Sequence, residues 1–473
     1  MLFPDSDRTF SLSLSGSNPK LSSRSSVAPR LSCESRSDSP TSLVVTLRTF
    51  CALLLAGLAA SVQAAELREI KTPPEPAPGS VIAIVGARLI DGRGGKPIEN
   101  VVVVVRGAKI DTVGPRDEIT IPGEAKRVDA VGLSVLPGLI DSHFHSRNDI
   151  VRPIEYELKH GITTFRDPGH PFRFYDAVRA AEATMPRIFL CGAHLDADPP
   201  AWPDQAVVIT DAEHAMRTVN AHVDAGASAI KVYMRLPIEH IAAVCEAATK
   251  RGVLVTAHLE LVDADDAIRA GVRGIEHATS FGTTLAEPEA TAKFKTAVGE
   301  DSSARQQLRH WLWSTIDLDT SPRVKPLLDL IVRQKVFVSP TLAVFEKRPG
   351  DKSATDADAA GFVNMLKFIG MCHRAGAKVV VGSHTSAPHA EAGRAYQREL
   401  ELLIESGLSP LEAITAGTSH NAQFFGIDQR LGSIEPGKLA DLILVEGNPV
   451  DDIRAMKNVR RVMLNGIWQP EAK

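Results

Sequence analysis

A chain of 473 residues is long enough to bury a large core, and length alone favours two or three domains. Its hydrophobic fraction of 44% and charged fraction of 23% are those of an ordinary globular protein. The net charge is −4, from 53 Lys and Arg against 57 Asp and Glu; with no basic patch standing out, nucleic acid is not expected as a partner. Five cysteines include no CxxC pair. Cys33 and Cys51 fall near the N-terminus, which leaves Cys191, Cys245 and Cys372 in the body, so no disulfide framework is implied.

Residues 1–46 read as a disordered or untranslated leader, rich in Ser, Arg and Pro. Residues 47–64 read as a signal peptide: Arg48, then the apolar run 51–60, then Ser61-Val62-Gln63-Ala64 with small residues suited to cleavage. The run is short for a membrane anchor, the competing reading. Translation would then start near Val44 or Val45, and the mature protein would begin at Ala65 and be periplasmic or secreted. A proline-rich linker, 71–79, leads into the fold.

The stretch 81–129 predicts short strands at 81–85, 101–106 and 109–113, with turns at Asp91-Gly92-Arg93-Gly94-Gly95 and Arg106-Gly107. The far end predicts strands at 432–434, 440–445 and 459–464. Two such pieces at opposite ends are expected to pack as one small β-sandwich, from 65–135 and 421–473. Between them, strands are predicted at 139–145, 162–166, 187–191, 229–233, 254–258, 274–277, 336–340 and 378–384. Amphipathic helices alternate with them at 212–225, 238–251, 264–270, 326–334 and 361–375, and 395–406 and 410–416 follow the last strand. Eight strands alternating with helices predict an α/β fold, a (β/α)8 TIM barrel over 136–420, with catalytic residues at the C-terminal strand ends. An open doubly wound sheet is the alternative, but no glycine-rich phosphate loop follows the first strand.

The first barrel strand runs into Asp141-Ser142-His143-Phe144-His145. On a strand, His143 and His145 project together, a pair suited to a divalent metal or, more plainly, to mutual hydrogen bonding. Lys231 lies in the apolar strand Ala229-Ile230-Lys231-Val232-Tyr233, where an amine must be modified, for example as a carbamate, or neutralised by a nearby acid. His258 ends the fifth strand and His277 the sixth. Each alone reads as an ordinary histidine; together, at the ends of strands one, four, five and six, these residues read as a metal site.

The sequence resembles the amidohydrolase superfamily, in the branch of the imidazolonepropionase-related proteins and Xaa-Pro dipeptidases. The resemblance runs from about Val81 to Trp468. It is carried by Gly86-Ala87-Arg88-Leu89-Ile90-Asp91-Gly92, the stretch Pro137 to His145, Gly161-Ile162-Thr163-Thr164-Phe165-Arg166-Asp167, Gly274-Ile275-Glu276-His277 and the segment Gly432 to Leu442. It implies a barrel flanked by a β-sandwich, and two Zn2+ ions: His143 and His145 on one, His258 and His277 on the other, carbamylated Lys231 bridging them. It implies a small-molecule substrate and hydrolysis of a C–N bond in an amide, cyclic amide or Xaa-Pro-type dipeptide; an ester or lactone is a further option.

One position departs from the pattern. The eighth strand of the family ends in Gly-Thr-Asp-Ser or a close variant, and here it reads Gly382-Ser383-His384-Thr385. His384 therefore stands at the place of the carboxylate that ligates metal and accepts the proton of the hydrolytic water. An imidazole can ligate or accept a proton, but a nitrogen that donates to metal cannot also take the proton. This leaves two readings open: a working hydrolase with His384 as a catalytic residue, or an impaired descendant that binds a small molecule or partner. His389 reads as a substrate contact or a solvated loop histidine. The polar segment 293–319, with Trp311 and Trp313, reads as a lid over the barrel mouth or as helical decoration. No membrane association is expected after signal cleavage, and the sequence leaves the oligomeric state open.

Overall fold

Most strands between 139 and 379 are buried on both faces, as in sheets covered by helices. In the computed structural model, which describes residues 69–146, 150–352 and 354–470, they form two parallel sheets. One joins Leu139–Asp141, Ile162–Asp167 and Arg187–Leu190. The other runs in the order Ala206–Val208, His194–Asp196, Ile230–Val232, Val255–Ala257, Gly274–Glu276, Phe337–Ser339, Lys378–Val379. Backbone hydrogen bonds link the two sheets at both ends, among them Ser142 N–H to the Val381 carbonyl (2.9 Å) and Ser228 N–H to the Leu190 carbonyl (2.8 Å). With helices between the strands, the arrangement is a TIM-barrel-like α/β fold.

The helices fall where the apolar periodicity places them, among them Ala212–Asp224, Ile238–Lys250, Val324–Arg333 and Ala395–Glu405. Capping boxes start two others: Thr355 with Asp358 before Asp356–Arg374, and Ser409 with Glu412 before Pro410–Thr415.

Strands from the two ends of the chain share one eight-stranded sheet. Leu442–Glu446 lies between Val459–Leu464 and Leu133–Pro137, and the latter pairs with Val81–Leu89. The predicted strand at 432–434 does not form: Gly432 turns the chain at φ +86°, and Ile434 makes an isolated bond to the Asp91 carbonyl. A buried network ties this sheet to the parallel strands. Arg187 pairs with Asp441 at 2.7 Å and Glu69 at 3.0 Å, and donates to Asn465.

The three body cysteines are buried and free. Among the described residues no helix is long and apolar enough to cross a membrane. The leader and signal segment, 1–64, lie outside the described residues.

Candidate metal centre

The expected strand 139–145 ends at Asp141, and His143 and His145 stand on a bend beyond it. The reason is local. The Asp141 carboxylate turns back to accept the His143 N–H (3.0 Å), the Ser383 N–H (2.9 Å) and the Ser383 hydroxyl (2.5 Å). His258 and His277 likewise follow the last strand residues, Ala257 and Glu276. Backbone with positive φ collects here at non-glycine residues: His277 at 70°, Thr341 at 47°, His384 at 54° and Thr385 at 68°. Such conformations cost about 1–3 kcal/mol each and persist only where neighbours dictate them. The His384 N–H donates to the His143 carbonyl at 2.8 Å, locking the last strand segment to the first. Gly382 permits this approach, since a Cβ there would stand 2.7 Å from His143 Cβ.

His143, His145, Lys231, His258, His277 and His384 all line one cavity of about 530 Å³. His143 Nε2 and His145 Nε2 are 2.9 Å apart. Nitrogens of His143, His277 and His384 lie within 4.8 Å of one another, and the His258 and His277 rings are 4.3 Å apart. Polar neighbours approach Nδ1 on three of the rings. His277 Nδ1 is 2.7 Å from Thr341 Oγ1, His143 Nδ1 3.0 Å from Glu276 Oε2, and His145 Nδ1 3.7 Å from Asp167 Oδ1. Partners of this kind orient metal-ligating imidazoles. Burial lowers the pKa of His143, His145, His277 and His384, and takes His258 to about 3. The five rings are therefore neutral at pH 7, the form that binds metal. This donor set fits a divalent metal.

Lys231 is buried in the same wall, and its Nζ contacts Glu276 Oε2, while Thr256 Oγ1 donates to Oε1 at 2.8 Å. Glu276 Oε2 thus stands beside both Lys231 Nζ and His143 Nδ1. Burial pushes the Lys231 pKa well down, toward the free amine. His258 Nε2 is 2.9 Å from Glu260 Oε1, and Arg309 pairs with the same oxygen at 2.5 Å. Burial opposes ionisation of Glu260, but Arg309 and His258 hold its pKa at about 2. The grouping by donor distance, His143 with His277 and His384, cuts across the pairing that the resemblance implies.

The chain matches the amidohydrolase family over residues 134–468. It belongs to that family. Members generally bind a divalent metal, in accord with the histidine cluster. Among similar proteins is the ochratoxinase of Aspergillus niger, 22% identical over 459 residues, covering 82% of this chain and 85% of the relative. The D-aminoacylase of Alcaligenes xylosoxydans xylosoxydans is 24% identical over 471 residues, covering 83% and 95%. Adenine deaminase 3 of Rhizobium meliloti (strain 1021) is 23% identical over 394 residues; that match covers 77% of this chain but 54% of the relative, so this amidohydrolase spans about half the length of the adenine deaminases it matches. Among solved structures, a Xaa-Pro dipeptidase with bound methionine shares the fold, with TM-score 0.64 and 23% identity, covering 83% and 100% of the two chains. A putative prolidase from Bifidobacterium longum gives 0.63 and 26%, covering 84% and 97%.

The amidohydrolase site contains residues that the strand pattern did not single out. His194 lies on the short strand His194–Asp196, beyond the predicted end of the third strand at 191. It is buried, its Nε2 has no partner, and burial takes its pKa to about 3. Tyr233, two residues after Lys231, carries the next inward side chain, and its ring lies 4.4 Å from that of His194. His170 joins His145 and Asp167 in a second cluster, with Nδ1 2.7 Å from Asp167 Oδ2. Asp167 also accepts from Tyr175 (2.6 Å) and from the Gly169 and His170 N–H groups, so donors saturate it.

His389 is not brought to the cavity. It is partly exposed on a loop, with Nε2 3.0 Å from Asp351, and the chain turns away between Thr385 and Pro388. The segment 293–319 is helical decoration packed by Trp313 that also reaches the cavity. Trp313 is fully buried against Phe368, while Arg305, Gln306 and Arg309 of the helix Arg305–Ser314 line the cavity.

Proposed function

We propose that this protein is an exported, metal-dependent amidohydrolase that cleaves a C–N bond in an amide, cyclic amide or Xaa-Pro-type dipeptide. The observation that carries the reading is the convergence of five neutral imidazoles and Lys231 on one cavity wall. In this reading 136–420 form a closed (β/α)8 barrel, and 65–135 with 421–473 a β-sandwich. The bonds from Ser142 to Val381 and from Ser228 to Leu190 support closure. Residues 47–64 would direct export to the periplasm or beyond, and sequencing the N-terminus of protein from native cell fractions tests this. A cytosolic product that keeps residues 51–64 refutes it.

The histidine donors present fit a divalent metal, in this reading a pair of zinc ions, which His143, His145, His258, His277 and Lys231 as a carbamate would hold. Bound there, the metals would supply an acidic water and polarise the scissile carbonyl. The chain's own groups do the rest. Thr341 Oγ1 lies 2.7 Å from His277 Nδ1, and the carboxylates of Glu276 and Asp167 stand beside Nδ1 of His143 and His145. The lowered Lys231 pKa supports carbamate formation, because the free amine adds to carbon dioxide. His384, neutral and stacked 5.2 Å from His143, offers a lone pair to metal or to a proton.

His384 also favours a second reading, a binding protein with little turnover, because the charged base of the family is absent. Metal analysis with a panel of amides, dipeptides and lactones decides between them. Stoichiometric zinc with turnover of a panel member supports the hydrolase. Failure to bind metal refutes both the metal centre and the hydrolase reading.

A further inference from the structure

Of the large apolar side chains that stand exposed among the described residues, Trp202 alone lines the cavity of the histidines. It is 46% exposed, and yet it is held in place. Its indole Nε1–H donates to the Tyr233 hydroxyl at 3.0 Å, and the Arg305 guanidinium lies 5.6 Å from the centre of its ring. The backbone that carries it is fixed as well. The buried Asp196 carboxylate accepts the N–H groups of Ala197 and Ala201 (both 3.0 Å) and of Arg235 (2.9 Å). One acid thereby ties the Trp202 loop to the stretch after the strand Ile230–Val232, where Tyr233 stands. Tyr233 connects this arrangement to the candidate metal ligands, since its ring lies 4.7 Å from that of His258.

A tryptophan that keeps this much of its surface in water forgoes the gain of burial. Here the side chain is also immobilised, so a ligand that covers it orders no further rotamers of the protein. With its N–H engaged, the indole offers ring carbon rather than a hydrogen bond. A flat, rigid ring is matched best by another flat ring, because offset stacking adds to the gain from burial, whereas an aliphatic group has burial alone. Val344 and Phe345 add apolar surface to the same cavity.

We propose that Trp202 is a specificity-determining residue, and that the substrate carries an aromatic ring beside its scissile amide, which stacks on the Trp202 indole. The inference rests on the hydrolase reading for the amide, and on Trp202 for the ring. A cavity of about 530 Å³ has room for an amide with one ring and a short second substituent.

The test uses the metal-loaded full chain and amides in matched pairs, aromatic against saturated on the same carbon skeleton. One pair is the acetamides of benzylamine and cyclohexylmethylamine; the other is the N-methylamides of phenylacetic and cyclohexylacetic acids. Calorimetric binding, amide cleavage and acrylamide quenching of tryptophan emission are measured for the wild type, Trp202→Phe and Trp202→Leu, with metal content and melting temperature as folding controls. At least one aromatic amide is expected to bind about threefold or more tighter than its saturated counterpart, with the preference partly kept in Trp202→Phe and lost in Trp202→Leu. It should also shield from acrylamide an emission that Trp202→Leu lacks. Equal binding within both pairs, no binding of either aromatic amide, or a preference that survives in a folded Trp202→Leu overturns the proposal. If Trp202→Leu does not fold, quenching of the wild type decides, and aromatic amides that shield no emission overturn it. Amides cleaved by wild type and Trp202→Leu alike, without ring preference, sink Trp202 and keep the hydrolase. Aromatic amides bound through Trp202 but never cleaved keep Trp202 and sink the hydrolase reading for this class.

Discussion

The Asp141 carboxylate holds Ser383 twice, by its N–H at 2.9 Å and its hydroxyl at 2.5 Å, while also accepting the His143 N–H. One buried acid thus sets the position of both the His143–His145 bend and the segment that carries His384. Burial raises its pKa to about 6. We predict that Asp141→Asn weakens metal binding by roughly 10–100-fold, as loss of a supporting carboxylate does in other metal sites. Titration against a competing chelator measures it. Unchanged affinity would show that the strand ends are held without Asp141.

Lys231 has two possible partners in chemistry, Glu276 as it stands or carbon dioxide as a carbamate. Protein loaded with metal in 13C-bicarbonate should give a carbamate carbon resonance that Lys231→Ala lacks. The variant should also hold the second metal more weakly. A wild type without the resonance, or a variant with full metal content, would leave Lys231 as the buried ion-pair partner of Glu276.

For His384 the informative change is His384→Asp, which restores the charged ligand and base in a smaller volume. We expect kcat/KM on an amide, dipeptide or lactone to rise at least tenfold, or ~1.4 kcal/mol, with zinc or manganese supplied. A fall on the native protein's best substrate would instead identify His384 as a working residue of an altered mechanism.

Glu157, on the helix Val151–Lys159, is buried. Burial, with Asp141 nearby, raises its pKa from 4.5 to about 8. Between these values the folded state keeps a proton that the unfolded state releases. The stability contribution is complete below pH 4.5 and declines as pH rises to about 8, by up to ~1 kcal/mol per pH unit. Glu157→Gln has no such proton to lose. Denaturant curves at pH 5, 6, 7 and 8 should therefore show wild type losing stability relative to the variant as pH rises. Parallel pH profiles would refute the assignment.

The sequence by itself determined the alternation of strands with helices, because apolar periodicity is a local property that each element carries alone; it did not find the short strands His194–Asp196 and Ala206–Val208. It also determined which ligand-type residues stand near strand ends: His143, Lys231, His258, His277 and His384 are each tied to a recognisable strand or motif. Their convergence was decided by tertiary structure. His143 and His145 approach through a bend closed by Asp141, where strand alternation predicted the same juxtaposition for another reason. The sequence left Lys231 open between a carbamate and an acid partner. The placement of Glu276 beneath His143 brings that acid into contact with it, which no pattern along the chain records. His389 and Arg305 make the same point in opposite directions. His389 is close to His384 in sequence, yet the loop turns it out to Asp351. Arg305 lies far along the chain, in a polar segment without a motif, yet the helix it begins packs through Trp313 and carries its guanidinium to the cavity. Periodicity reports which face of an element is buried; which distant side chains share a cavity depends on how the elements pack, and that information is spread over the whole core.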